Sequence, residues 1–359
     1  GAHPLPTRLN RMATRASSTV APSVTLALVG DVMLGRVVNR MIAEHGFAYP
    51  WGDLLPAVRG ADCFLINLEC ALTDHTERWS DGGHKPFYFR ANPRVVETLR
   101  VAGVDFASLA NNHAADFDMI GLLDTVCHLD EAGIAHAGAG GDTLAARAPA
   151  FLTAAGWRIG VVAFADHPAV WAARSTSPGI NYTPVSLAAD DFAAIEHALA
   201  VARRQADLVI FSIHWGPNMR ARPTPAFRDF ARRVIEAGAD VFWGHSAHVV
   251  QGIEVWQGKP ILYDTGDFVD DYAVDPELRN DLSGLFLLRL QPPAVARIDI
   301  VPVAIGRCQV NRAGGAERDW FVERFTALCT EQGTVVLVAG EALTVPVGAA
   351  PGQGAEATT

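Results

Sequence analysis

Five apolar runs in this chain are each followed at once by a side chain that can bind metal or move protons, and that coupling narrows the folds open to it. Val24 to Val29 leads into Gly30-Asp31, and Asp62 to Leu68 leads into Glu69. Phe106 to Ala110 leads into Asn111-Asn112-His113, and Leu208 to Ile213 into His214. Val241 to Trp243 leads into Gly244-His245, with His248 three residues further on. A continuous apolar run of this length is how a strand buried on both faces reads. Helical stretches separate the runs: Arg36 to Glu44, Asn92-Pro93 to Ala102, Gly121 to Ala132, Ala188 to Gln205 and Pro225 to Ala237. Another strand covers Arg158 to Ala165. Strands alternating with helices predict an α/β fold. In such folds functional groups collect where the strands end. Later, Leu285 to Leu290 and Ala296 to Val303 read as antiparallel strands around a Pro-Pro turn. With no helix between them, they predict a second sheet packed on the first.

Composition removes several alternatives. Lys plus Arg is 29 and Asp plus Glu is 39, for a net charge of −10 over 359 residues. A protein that grips nucleic acid through its phosphates is normally basic, so no nucleic-acid partner is expected. The only lysines are Lys85 and Lys259, so anion recognition falls mainly to arginine. The five cysteines are irregularly spaced with no CxxC, which predicts reduced, mostly buried thiols and a cytoplasmic location. No run of 18 apolar residues occurs, so no membrane partner is expected. Residues 1–22 read as a polar arm without the apolar segment of a secretory signal, and 351–359 as a disordered tail. Between them, 23–310 read as one domain, and 311–350 as a helix and hairpin packed on it.

Each strand-end residue has an ordinary reading of its own. Asp31 suits a helix N-cap, Asn112 a turn, and His214 a half-buried structural histidine beside Trp215. Five such coincidences together favour a site. The set mixes carboxylate, amide oxygen and imidazole, which suits Mn, Fe or Zn better than Ca or a thiolate zinc site. It exceeds what one tetrahedral ion needs, and two divalent ions sharing a carboxylate would use it.

The segments GDVMLGR (30–36), NLECALT (67–73), SLANNHAADFD (108–118), GAG (138–140), HWG (214–216), GHSAHVVQ (244–251) and LYDTGDF (262–268) carry a further reading. In this order and spacing, from about Val24 to Val303, the chain resembles the CapA family of capsule and poly-γ-glutamate synthesis proteins. That family is related to the calcineurin-like metallophosphoesterases. The resemblance implies a four-layer α/β/β/α sandwich, two mixed sheets flanked by helices, with a metal centre at the strand ends. It implies Asp31 on the first ion, Glu69 bridging, Asn112 and His214 on the second, and His245 and His248 as the remaining imidazoles. His113 would protonate the leaving group or stabilise charge in the transition state, Asp116 would orient His113, and a metal-bridging hydroxide would be the nucleophile. Three positions depart from the pattern. Met33 stands where related phosphoesterases carry the histidine of Asp-x-His. Ser246-Ala247 replaces the middle imidazole of Gly-x-His-Pro-His. Asp267 replaces the asparagine of Gly-Asn-Phe, as an added metal ligand, a partner for a ligand histidine, or a substrate contact.

Candidate substrate contacts are Arg36, one helical turn beyond Asp31; His84 and Lys85 in a polar loop; and Arg220 and Arg222 on a Pro-flanked loop. For each, a solvated surface side chain is the alternative. Asp270, Asp271 and Asp275 argue against a polyanion across that rim. The expected substrate is a small or short peptide-like anion. Three functions remain open: an amide or isopeptide hydrolase, which the family's association with γ-glutamyl polymer favours; a phosphoesterase using the same centre; and a non-catalytic accessory protein of polymer synthesis.

Overall fold

The computed structural model describes residues 23–81, 83, 85–291 and 294–348. Within them the long strands gather into two mixed sheets. In the larger, Val24–Val32, Cys63–Leu68, Phe106–Ser108 and Ala135–Ala137 are parallel neighbours. On the other side of Val24–Val32, Leu282–Gln291 pairs antiparallel, followed by Ala294–Gly306 and the hairpin of Leu337–Ala339 and Ala342–Pro346. In the smaller sheet, Trp157–Ala165, Leu208–His214, Val241–His245 and Lys259–Leu262 run parallel. Ala150–Ala154 and Ile253–Trp256 lie antiparallel at its two edges.

Side-chain alternation along Leu208–His214 shows how the layers form. Val209, Phe211 and Ile213 share one face and pack on Phe192, Ile195 and Leu199 of helix Ala189–Arg203 and on Phe230 and Val234 of helix Pro225–Glu236. Leu208 and Ile210 turn the other way, into a core shared with the larger sheet. Each of these fully buried side chains contributes about 1.5–3 kcal/mol relative to exposure. Between the sheets, Trp243 donates its Nε1–H to the carbonyl of Val29 at 3.1 Å.

The α/β class is observed. The late antiparallel strands differ from expectation, because they extend the first sheet instead of building a second one. Leu282–Gln291 finds Val24–Val32, more than 250 residues away, and the second sheet is made from the middle of the chain. Helix Gly315–Glu331 and the hairpin behind it join the same body, with Arg297 in register with Pro346. The arm over 1–22, the Pro-Pro turn and the tail over 351–359 lie outside the described residues. All five cysteines are free thiols, four buried and Cys127 exposed. Among the described residues no helix is long and apolar enough to cross a membrane.

Candidate metal centre

Parallel pairing delivers the strand-end side chains to one place. Asp31 is in register with Asn67 on one neighbour and with Asp267 on the other, and His214 is in register with His245. Two glycines make this possible by close backbone approach. A Cβ on Gly30 would fall 1.7 Å from the carbonyl oxygen of Gly266, and one on Gly244 would fall 2.1 Å from that of Tyr263. Neither position has room for a side chain, which is why the carboxylate of Asp31 and the imidazole of His245 each follow a glycine.

Two overlapping groups result, each with its ligand atoms within 4.8 Å of one another: Asp31, His214 and His245, and Asp31, Glu69, His248 and Asp267. Asp31 belongs to both. Glu69, to which the resemblance gives the shared role, also reaches the first group, with Oε1 3.7 Å from His214 Nε2. Asn112 Oδ1 lies 3.0 Å from the same His214 nitrogen. His214 Nδ1 and His245 Nδ1 are 2.9 Å apart, and Ser212 Oγ is 3.0 Å from His245 Nε2. Asp267 Oδ1 holds His248 Nδ1 at 2.7 Å. Met33 is buried, and its sulfur accepts from Gly35 N at 3.0 Å.

The donor set fits a cation. Asp31, Glu69 and Asp267 are wholly buried, yet Asp31 Oδ2, Glu69 Oε1 and Asp267 Oδ2 accept no hydrogen bond. Burial raises all three carboxyls. Asp31 rises to about 6 against the opposing pull of His248 and Asn67, and Glu69 and Asp267 rise well above the usual range. Asp264 reaches about 8 through burial and the nearby Asp31. Burial alone would lower His248, but Glu69, Asp31 and Asp264 around it raise it instead. His214 and His245 are held low by burial, His245 to about 3, so both are neutral donors of a lone pair. Buried carboxylates that each keep one oxygen without a hydrogen bond, facing neutral imidazoles, are the arrangement a divalent ion stabilises.

His113 stands beside this cluster, with Nε2 3.9 Å from Glu69 Oε1. Its Nδ1 lies 2.6 Å from Asp116 Oδ2, and burial lowers it to about 4 against the pull of Asp116. A neutral ring with its proton on Nδ1, bonded to Asp116, presents the lone pair of Nε2 to the cluster. Lys85 does not offer its ammonium to the cleft. Nζ binds Asp116 Oδ1 at 2.9 Å and the carbonyl of Asn112 at 2.6 Å, because the fully buried Asp116 needs a counter-charge. Arg222 forms a surface ion pair with Glu331, Nε to Oε2 2.6 Å. Arg220 is half-buried, and its carbonyl accepts from Gln251. Arg36 faces the cleft while paired with Asp271. His84 lies outside the described residues. Of the acidic rim, Asp270 is buried, Asp271 holds Arg36, and Asp275 caps the amides of Glu277 and Leu278.

Three contributors escaped the sequence reading. Asn67 donates to Asp31 Oδ1 at 2.7 Å and lies 3.4 Å from His214 Nδ1. A polar residue inside the apolar run, two before Glu69 and so on the same strand face, was the available signal. Asp264 accepts from the amides of Ala247 and Gly266, fixing the two segments that carry His248 and Asp267. His167 follows the Trp157–Ala165 strand, is bonded to Asp166, and its ring centre is 5.6 Å from that of His214. The strand-end rule applied to that run would have found it.

Fold and site together define a mixed α/β protein with a candidate metal centre at its strand ends. The chain belongs to the family described as bacterial capsule synthesis protein PGA_cap, whose model matches residues 25–272 and so spans every residue of the cluster. It is similar to a probable polyglutamine synthesis accessory protein of Mycobacterium tuberculosis, 34% identical over 343 residues, covering 83% of this chain and 89% of that one. It is also similar to the capsule biosynthesis protein CapA of Bacillus anthracis, 28% identical over 284 residues, covering 79% of this chain and 67% of that one. The PGA biosynthesis protein CapA of Bacillus subtilis is likewise 28% identical over 284 residues, covering 79% and 72%.

Proposed function

We propose that this chain is a metal-dependent hydrolase that cleaves an amide or isopeptide bond, with γ-glutamyl amides as the first substrates to try. The observation that carries the reading is the set of buried, partnerless carboxylate oxygens on Asp31, Glu69 and Asp267 opposite neutral imidazoles. Asp31, Glu69, Asn112, His214, His245, His248 and Asp267 would hold two ions of Mn, Fe or Zn. Bound there, such ions would supply Lewis-acid polarisation of a carbonyl and a nucleophile from water at neutral pH. The chain's own part in the chemistry falls to His113. Its Nε2 accepts a proton and returns it to the departing nitrogen, while Asp116 keeps the ring oriented through Nδ1. The γ-glutamyl choice follows the family resemblance to poly-γ-glutamate synthesis proteins. The same reading takes the sheet-on-sheet packing as the α/β/β/α sandwich of metallophosphoesterases.

The paired state of Arg36 and Lys85 favours an amide over a phosphoester, since phosphoryl transfer relies on cations free to meet the phosphate. The printed name of the mycobacterial relative supports the other reading, an accessory protein of polymer synthesis. Metal per chain, measured by plasma mass spectrometry on the purified protein and on Glu69→Ala, separates the two. About two equivalents that fall sharply in the variant support the hydrolase. Metal near zero that added Mn²⁺ or Zn²⁺ does not restore supports the accessory protein. Hydrolysis of p-nitrophenyl phosphate in preference to γ-glutamyl amides would overturn the choice of bond.

A further inference from the structure

The cleft over the cluster is a cavity of about 490 Å³, and Arg36, Phe87, Phe89, His113, His248 and Tyr272 are among the residues that line it. Four of its rings are nearly parallel, while His248 meets Tyr272 edge-on, with ring centres 5.3 Å apart and planes at 77°. Phe89 stacks on His113 with ring centres 3.9 Å apart and planes 26° apart. Tyr272 lies 5.6 Å from Phe89 at 28°, and Phe87 lies 6.4 Å from it at 21°. The rings form one shelf that runs from His113 outward. Phe87, at its outer end, is 56% exposed, which is far from a core position for a phenyl ring. Next to lining residues, Val37 and Val274 are exposed as well.

Arg36 belongs to this shelf as a flat surface more than as a charge. Its guanidinium carbon lies 4.8 Å from the Phe89 ring centre, 5.6 Å from Phe87 and 5.7 Å from Tyr272. Its Nε and Nη2 are both given to Asp271, whose side chain is 5% exposed. No other arginine or lysine is among the described lining residues. A polyanion would find little net positive charge on this wall, whereas a planar apolar group would find a stacked, desolvated platform beside the reacting groups.

We propose that this shelf is a specificity subsite that takes a flat apolar group, such as an aryl ring, carried by the substrate next to the bond that reacts. Phe87 is its outer stacking face, and Arg36, held rigid by Asp271, closes its side. The proposal rests on the hydrolytic reading of the cleft, and its test is arranged to separate the two. Benzohydroxamate and acetohydroxamate carry the same metal-chelating head and differ only in the ring. On Mn²⁺-loaded protein, calorimetry should show benzohydroxamate binding about fivefold to tenfold more tightly, a preference lost in Phe87→Ala and partly kept in Phe87→Leu. On metal-free protein, benzamide should shift the ring resonances of Phe87 and Phe89. Equal hydroxamate affinities, with no shift from benzamide, overturn the shelf and leave the metal reading standing. A benzamide shift with neither hydroxamate bound supports the shelf and overturns the metal reading. Failure of all three probes overturns both. Phe87 is exposed, so neither substitution threatens folding.

Discussion

Two buried acidic regions of this molecule are built to opposite plans. At one, Glu254 on the edge strand Ile253–Trp256 is 3% exposed and fully answered: Arg232 Nε lies 3.1 Å from Oε1, and the Tyr263 hydroxyl also bonds to it. The guanidinium of Arg232 is covered in turn by Trp256, 4.3 Å from the ring centre. At the other, the strand ends hold Asp31, Glu69 and Asp267 with free oxygens and only His248 raised toward a positive charge. A buried carboxylate that meets an arginine is a finished structural element. One that meets neutral imidazoles keeps its desolvation cost until a cation arrives. The chain places arginines skilfully elsewhere, on Asp271, Asp240 and Asp299, so their absence from the cluster sets that region apart.

The contrast can be broken in several ways. The largest expected effect is on turnover. On the proposed hydrolytic reading, His113→Ala should lower the rate about 10²–10⁴-fold while metal per chain stays constant, because that reading gives the proton to Nε2 and the ring stands outside both ligand groups. A variant as active as the parent would remove His113 from the chemistry. Next comes stability at the answered carboxylate. Arg232→Met leaves Glu254 buried with the Tyr263 hydroxyl but no counter-charge; after discounting for the partly exposed guanidinium, it should cost about 2 kcal/mol in denaturant unfolding, with metal content unchanged. Glu69→Gln should act with the opposite sign. In metal-free protein it removes a buried carboxyl that burial and the nearby Asp31 make costly to ionise, so it should raise the melting temperature while abolishing the further rise on adding Mn²⁺. A drop in the metal-free melting temperature would show that Glu69 is answered by the protein after all.

The smallest effect is the response to pH between 6.5 and 8. Glu69, Asp264 and Asp267 have folded values above their unfolded ones, so in this window the folded state holds more protons. Stability of the metal-free protein should therefore fall as pH rises from 6.5 to 8. Below 6.5 the lowered His214 and His245 work the other way, since the unfolded chain then binds the extra protons. Metal-loaded protein should lose the decline above 6.5. A metal-free melting temperature that climbs toward pH 8 would contradict the raised carboxyls.

What could be read from the sequence divides along the range of the interactions involved. Asp31, Glu69, His214 and His245 were legible because an apolar run and the polar residue that ends it are neighbours in the chain. The strand at Leu208–His214 and the helix at Pro225–Glu236 were legible for the same local reason. Lys85 was not, since its orientation is decided by Asp116, 31 residues on, whose burial no local pattern announces. Arg222 met Glu331 across 109 residues. The sheet joined by Leu282–Gln291 was misjudged because pairing partners in a sheet leave no mark on either strand alone.

The glycines at 30 and 244 bear on how such chains are recognised at all. A side chain at either would push a neighbouring carbonyl away, and Gly266, the one displaced by position 30, immediately precedes Asp267. A distant homologue could keep every carboxylate and imidazole and still be unable to bring them together, if an alanine stood at one of these two places. Inventories of ligating residues would count that chain as intact. The smallest residue in each motif is the one to inspect first when deciding whether a related sequence retains a working centre.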